Sequence, residues 1–564
     1  MSDTDARAVP APAGGSGALS HRQIVTILSG LMLGMLLAAL DQTIVSAAMR
    51  TIADQLHGQS AQAWATTAYL ITSTISTPLY GKLSDIYGRR PFYLASISIF
   101  LIGSALCGVA GSMYELAAFR AVQGLGAGGL FSLAIAIMGD IIPPRERGRY
   151  QGYFMAVFGS ASVLGPVVGG FFAGLDTFVG VTGWRWVFLI NLPIGVVALI
   201  VVSKVLKLPH NRVNHRVDYL GAIALTVGLV PLLLVAEQGR EWGWTSGNSI
   251  AMYAIGVVGL VLFVLAERRM GDEAVLPLRL FRSPVFSLGN ILNFIVGIGM
   301  FGGLLSLPLY LQIVKGTSPT ASGLLMVPLT LGIILATGVS GSMISRTGRY
   351  RIFPIIGSGA MAVSLLLFSR IGVDTPLWEP CLTMVLMGAG LGLCMQTLVM
   401  AVQNDVEPKD MGVATASATF FRQTGGTVGA AVFMSILFGV VGDRIANAFR
   451  DAAQTASFQS ALSDPAVLAN PGNQPVLQML KGGQQGGAAP SLDDTSFLAN
   501  LDPRLARPFL EGFSSSMDTV FLAGAAVMVV AFVLNFFLKE VPLPTKSNLE
   551  RVEDEREALP TIGH

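Results

Sequence analysis

The sequence predicts an all-α polytopic membrane protein with fourteen transmembrane helices, grouped six plus two plus six, and with both termini in the cytoplasm. Three observations lead there. Of 564 residues, 52% are hydrophobic and only 12% charged, about half the charge of a soluble domain, and mean hydropathy is +0.62. Apolar runs of bilayer-spanning length recur along the chain. Basic residues crowd every second connection between those runs.

A spanning helix needs about 20 mostly apolar residues. Such runs cover residues 24–46, 62–81, 91–111, 115–139, 150–173, 184–205, 219–237, 249–267, 286–310, 321–343, 352–370, 380–403, 411–441 and 517–538. With the N-terminus inside, the cytoplasmic segments carry Arg7 and Arg22, then Lys82, Arg89 and Arg90, then Arg145, Arg147 and Arg149. Further on they carry Lys204, Lys207, Arg212 and Arg216; Arg268, Arg269, Arg279 and Arg282; Arg346, Arg349 and Arg351; Lys409; and four more in the C-terminal tail. The short outer loops hold only Arg50, Arg185, Arg240 and Lys315. Miscounting by one span would invert half the loops and erase this bias.

The organisation that follows is a disordered cytoplasmic tail (1–23), a six-helix bundle (24–205), two inserted linker helices (206–285), a second bundle (286–441 with 517–538), an extracytoplasmic segment (442–516) and a cytoplasmic tail (539–564). The first tail is rich in Ala, Gly, Ser and Pro, and the run after it is too long for a cleavable signal. Net charge is +2, so no nucleic-acid partner is expected. Cys107, Cys381 and Cys394 lie in apolar runs without ligand spacing, so neither a disulfide framework, a metal site nor a cofactor is expected. The outer segment lacks His, Cys and a usable acid pair, which argues against an enzyme or a receptor built on that segment.

An internal repeat supports two equivalent halves. "GKLSDIYGRR" (81–90) and "GSMISRTGRYR" (341–351) share Gly, six residues, then Gly-Arg, at an offset of 260; "DIIPPRERG" from Asp140 and "DVEPKDMG" from Asp405 agree at 265. Parallel halves around a central site are one way secondary transporters are built.

Within that frame, Gly81, Asp85, Gly88, Arg89 and Arg90 form a tight turn between spans two and three. The arginines set topology, and the carboxylate can accept from Arg89 or cap a helix, latching one side shut. Arg120 opens "RAVQGLGAGG", whose glycines suit close helix packing rather than a dinucleotide loop. A guanidinium in a membrane interior needs an anion or a polar network. Gly165, Pro166, Gly169 and Gly170 in "GPVVGG" describe a bent helix able to slide against a partner. Arg422 in span thirteen is either an inter-domain lock or a structural anchor. Asp41 interrupts "LLAALDQTIVSAAM" (36–49). It is either satisfied locally by Gln42, Thr43 or Ser46, or it is a carboxylate with a raised pKa that gains and loses a proton as access alternates.

Together, "LDQTIVSAAM", "GKLSDIYGRRPF", "RAVQGLGAGG", "GPVVGGFFAG", "WRWVFLINLPIG" and "RQTGGTVG" resemble the major facilitator superfamily, and within it the fourteen-helix drug:proton antiporters of the QacA/EmrB type. The resemblance implies the major facilitator fold in the inner (plasma) membrane, proton coupling through Asp41, Arg120 and Arg422, a gate at Asp85 and Arg89, and export by alternating access. Span ten has no acid, which argues against selectivity for divalent organic cations. The expected substrate is a lipophilic small molecule, exchanged for protons, in a cavity using Gln123, Asn290, Asn293 and Gln396. An alternative is export of an envelope lipid or metabolite. The segment 442–516 is expected to extend span thirteen as an amphipathic hairpin able to meet an envelope lipid or protein.

Overall fold

A computed structural model of the chain describes residues 21–57, 62–206, 218–317, 319–474, 476–478 and 501–543. Most of both terminal tails and the linker-like "KGGQQGGAAPS" lie outside the described residues.

Every expected span has a helix. These are α1 (His21–Gln55), α2 (Gln62–Tyr87), α3 (Arg89–Cys107), α4 (Met113–Ile141), α5 (Pro144–Ala173), α6 (Asn191–Val205) and α7 (Tyr219–Trp242). There follow α8 (Gly247–Met270), α9 (Pro284–Leu309), α10 (Val327–Thr347), α11 (Ile352–Phe368), α12 (Trp378–Asn404), α13 (Met411–Ala452) and α14 (Pro503–Asn535). Among the described residues twelve spans are long and apolar enough to cross a membrane. The other two are α11, apolar but of 17 residues, and α2. The composition of α2 is diluted by hydroxyls that bond back to their own helix: Thr72 to Ala68 O at 2.9 Å, Ser73 to Leu70 O at 3.0 Å and Thr77 to Ser73 O at 2.8 Å. Hydroxyls satisfied in this way need no water, so a polar-looking segment remains compatible with a dry interior.

The glycines of α4 bring three helices close together. A Cβ at Gly124 would stand 3.0 Å from Tyr69 Cα, and one at Gly128 would overlap Ser73, so one face of α4 lies against α2. Gly126 and Gly129 meet Ser96 and Phe100 of α3 on the other face. This is small-residue packing, which replaces the hydrophobic drive that lipid removes.

Three apolar clusters divide the molecule. One is built only from the second half, including Leu292, Met361, Met387 and Phe433. Another holds only first-half residues, from Ala39 to Phe188, at the end away from Asp85. The third, around Tyr80, Tyr93 and Tyr150 at the Asp85 end, includes Val399, Val402, Val413 and Phe420 from the second half. The halves therefore share a core at the Asp85 end, while the other end of the first half keeps its own.

α13 runs 42 residues and α14 runs 33, both well past bilayer length. The expected amphipathic extension of span thirteen is present to Ala452. Phe449 packs on Phe509 with centroids 4.7 Å apart, and Gly512 lets Ile445 approach its backbone. Short helices Ala456–Ser463 and Pro465–Ala469 close a small core over them. One element is new relative to the sequence reading: Thr177–Phe178 pairs antiparallel with Val181–Thr182. Its two-residue turn puts Val179 at φ 50 and Gly180 at φ 75, the left-handed conformation a tight hairpin requires.

Candidate functional site

α1 delivers Asp41 into the first half, fully buried at 0% exposure. α4 presents Arg120 and Gln123 three residues apart and so on one face. Arg120 Nη1 donates to Asp41 Oδ2 at 2.7 Å and to Gln123 Oε1 at 2.7 Å. Gln123 Nε2 donates to Asp41 Oδ1 at 2.9 Å and to Ser104 Oγ at 2.5 Å. Asn191 Nδ2 donates to the same Asp41 oxygen at 2.7 Å and to Ser104 at 3.1 Å. The Arg120 guanidinium lies 4.0 Å over the Tyr69 ring. Each carboxylate oxygen is thus occupied, and the charge is answered by a cation. Asn191 Oδ1 and the Tyr69 hydroxyl remain without partners.

Asp41 and Arg120 were each singled out by their charge, and the structure joins them. It does not use Gln42, Thr43 or Ser46 to satisfy Asp41; Thr43 instead donates to Ala161 O on α5 at 2.9 Å. Gln123 belongs to the Asp41 network. Asn191, Ser104 and Tyr69 escaped the sequence reading. Neutral polar residues are common within spans, and the only available signal was the position of Asn191 after the aromatic run "WRWVF".

At the other charged locus, Asp85 accepts from Gly412 N at 3.1 Å and Val413 N at 2.9 Å, the first turn of α13. Arg89 ties Asp85 (2.6 Å) to Asp140 (2.8 Å) and donates to Ser84 at 2.6 Å. Gly88 turns the chain at φ 102, a conformation that suits glycine alone. A Cβ at Gly81 would overlap Ala416 and lie 2.8 Å from Gly412 O. Arg90 points elsewhere, to Ser203 O at 2.7 Å. Arg147, unremarked as anything but a topogenic charge, is fully buried and donates to Gln403 at 2.9 Å across the two halves.

The "GPVVGG" helix α5 packs between α1 and the second half. Gly165 lies against Thr43, and a Cβ at Gly169 would stand 2.6 Å from Ile44 O, so α5 packs on α1 next to Asp41. A Cβ at Gly323, in the short helix Pro319–Leu325, would stand 3.5 Å from Pro166, and Gly159 faces Thr330. Among the described residues nothing stands within 4 Å of a Cβ at Gly170.

Arg422 makes no ion pair among the described residues, and its backbone meets Gly297 of α9. Asn290 and Asn293 are buried and donate to the carbonyls of Phe286 and Gly289 in their own helix, each at 2.9 Å, leaving their Oδ1 atoms unpaired. Gln396 is 7% exposed. Among the described residues no group of three or more metal-ligating side chains forms.

The pattern of the Major Facilitator Superfamily matches residues 31–430. The multidrug transporter protein MdtP of Bacillus subtilis is 34% identical over 94% of this chain and 96% of its own. A tetracycline resistance determinant of Streptomyces rimosus is 41% identical over 59% of this chain and 94% of its own. Among solved structures, the proton:xylose symporter XylE superimposes with a TM-score of 0.58 at 15% identity, covering 95% of this chain and all of XylE, which speaks for the fold. The chain belongs to the major facilitator superfamily: it is a multi-pass transporter of the plasma membrane.

Proposed function

We propose that this transporter exports lipophilic, drug-like small molecules in exchange for protons, and that Asp41 carries the proton. The single observation that carries the reading is the sealed Asp41–Arg120 pair with every carboxylate oxygen bonded. The names of the multidrug and tetracycline-resistance relatives support the substrate class.

The chemistry follows from burial. Protonating Asp41 removes the anion that answers Arg120, and an unanswered guanidinium in a low-dielectric interior is costly. The cost is relieved if α1 and α4 shift against each other. α5 touches α1 at Gly165 and Gly169 and the second half at Gly159 and Pro166, so it can pass that shift between halves. The cores joined at the Asp85 end fit a conformation closed towards the cytoplasm. A proton arriving from outside would favour release of the latch there, and its loss inside would reset the pair. One charge crossing 100 mV is worth about 2.3 kcal/mol, enough for a substrate gradient of roughly fiftyfold.

The test is drug uptake into inside-out vesicles energised by an imposed proton gradient. Asp41→Asn is expected to abolish gradient-driven uptake while the protein still elutes as a folded species. Undiminished uptake would remove Asp41 from the mechanism.

A further inference from the structure

A second pair of buried acids lies outside the Asp41 network, where the two inserted helices meet the connector to the second half. Asp218 is 2% exposed and caps α7, its Oδ1 accepting from Gly221 N at 2.7 Å, while Oδ2 has no partner among the described residues. Glu267, near the end of α8, is 0% exposed. Its Oε2 accepts from Leu276 N at 3.0 Å, and its Oε1 has no partner. Both orphaned oxygens border the empty side of Gly221: a Cβ there would overlap Asp218 Oδ2 and stand 3.0 Å from Glu267 Oε1.

We propose that Asp218 and Glu267 form a proton-binding site distinct from Asp41, a carboxyl–carboxylate pair holding one shared proton between their orphaned oxygens. Burying two carboxylates beside one small empty space, with no cation between them, favours keeping a proton on the pair. Among the described residues neither makes an ion pair. Among the described residues Lys82 of α2 is a cation near Glu267, but its ammonium donates to Asp272 O at 2.9 Å and shares a pocket with Asp85, Asp410 and Arg279. A proton on one acid supplies the missing donor and leaves the other oxygen as its acceptor. The proton comes from solvent and returns there, and no bond other than O–H changes.

The site has a path to the latch. Glu267 holds Leu276 in the connector, and three residues further on Arg279 bridges Asp272 at 2.5 Å and Asp410 at 2.7 Å. Asp410 immediately precedes α13, whose first turn Asp85 grips. Losing the shared proton sets two like charges against each other at the root of this connector, so the site would report pH to the latch.

The experiment is infrared difference spectroscopy of the full chain in lipid nanodiscs on a step from neutral to alkaline pH. A protonated-carboxyl band is expected to disappear on the step in the wild type and in Asp41→Asn, and to be absent throughout in Glu267→Gln and in Asp218→Asn. The Gln side chain is nearly isosteric and can donate its own N–H to Asp218, so Glu267→Gln is expected to fold. A band that survives in either variant overturns the shared proton. A spin-label distance between Tyr87→Cys and Lys409→Cys should lengthen on the same step in the wild type and stay fixed in Glu267→Gln. An unchanged wild-type distance overturns the link to the latch. Neither readout depends on transport.

Discussion

Asp85 accepts the backbone N–H of Val413 at 2.9 Å although 328 residues of chain separate them. The first turn of a helix has N–H groups without intrahelical partners and a partial positive charge. Asp85 answers both and is itself held by Arg89. The second repeat has Ser345 at the matching position, so the latch is one-sided. On the other seam, Arg147 and Gln403 make the crossing contact.

Asp85→Asn should loosen this contact. Hydrogen bonds to a charged group contribute about 1.5–3 kcal/mol, so the latched population should fall by roughly ten- to a hundredfold relative to the open one. The spin-label pair at Tyr87→Cys and Lys409→Cys would read this as a longer mean distance.

Gly81→Ala attacks the same seam by shape. The added methyl overlaps Ala416 and crowds Gly412 O, and overpacking of this kind costs about 1–3 kcal/mol. Transport should drop with little change in the thermal midpoint, because only the latched conformation carries the clash; an unfolded protein would instead show both effects.

Asn191→Leu removes a charged-acceptor hydrogen bond from Asp41 and one from Ser104. A loss of about 1.5–3 kcal/mol in stability is expected, together with a displaced pH profile of uptake. A purely structural asparagine would lower the midpoint and leave the profile in place.

The helical hairpin beyond α13 should be acid-sensitive. Hydrogen bonds from Arg504 are the main cause holding Asp464 and Asp502 below the usual carboxylate range, and the guanidinium contacts both at 3.1 and 3.0 Å. For acids whose pKa is depressed in the folded state, the stabilisation is present above the unperturbed value and is lost as pH falls through the depressed one. Hydrogen exchange across 456–469 should therefore accelerate below about pH 4. Arg504→Gln should remove that acid-induced step.

Asp41, Arg120 and Asp85 could be weighed singly in the sequence: they are charges in or beside apolar runs, and such charges are rare enough to notice. Their partners were not. Asn191, Ser104 and Tyr69 are ordinary within a span, and the amides of Gly412 and Val413 look like any others in the chain. Arg422 shows the converse, a conspicuous charge for which the described residues supply no counter-ion.

What the sequence determined by itself was an all-α polytopic chain, the apolar segments that become its helices, and the family. Each of these depends on local composition repeated along the chain: bilayer thickness sets the length of an apolar run, and loop charge sets its direction. Only the tertiary structure decided that Asp41 is paired with Arg120, that one end of the halves shares a core, and that Asp218 and Glu267 both border the space beside Gly221. Contacts between residues dozens to hundreds of positions apart follow from how helices pack, and glycine faces, helix ends and buried polar groups settle that packing together.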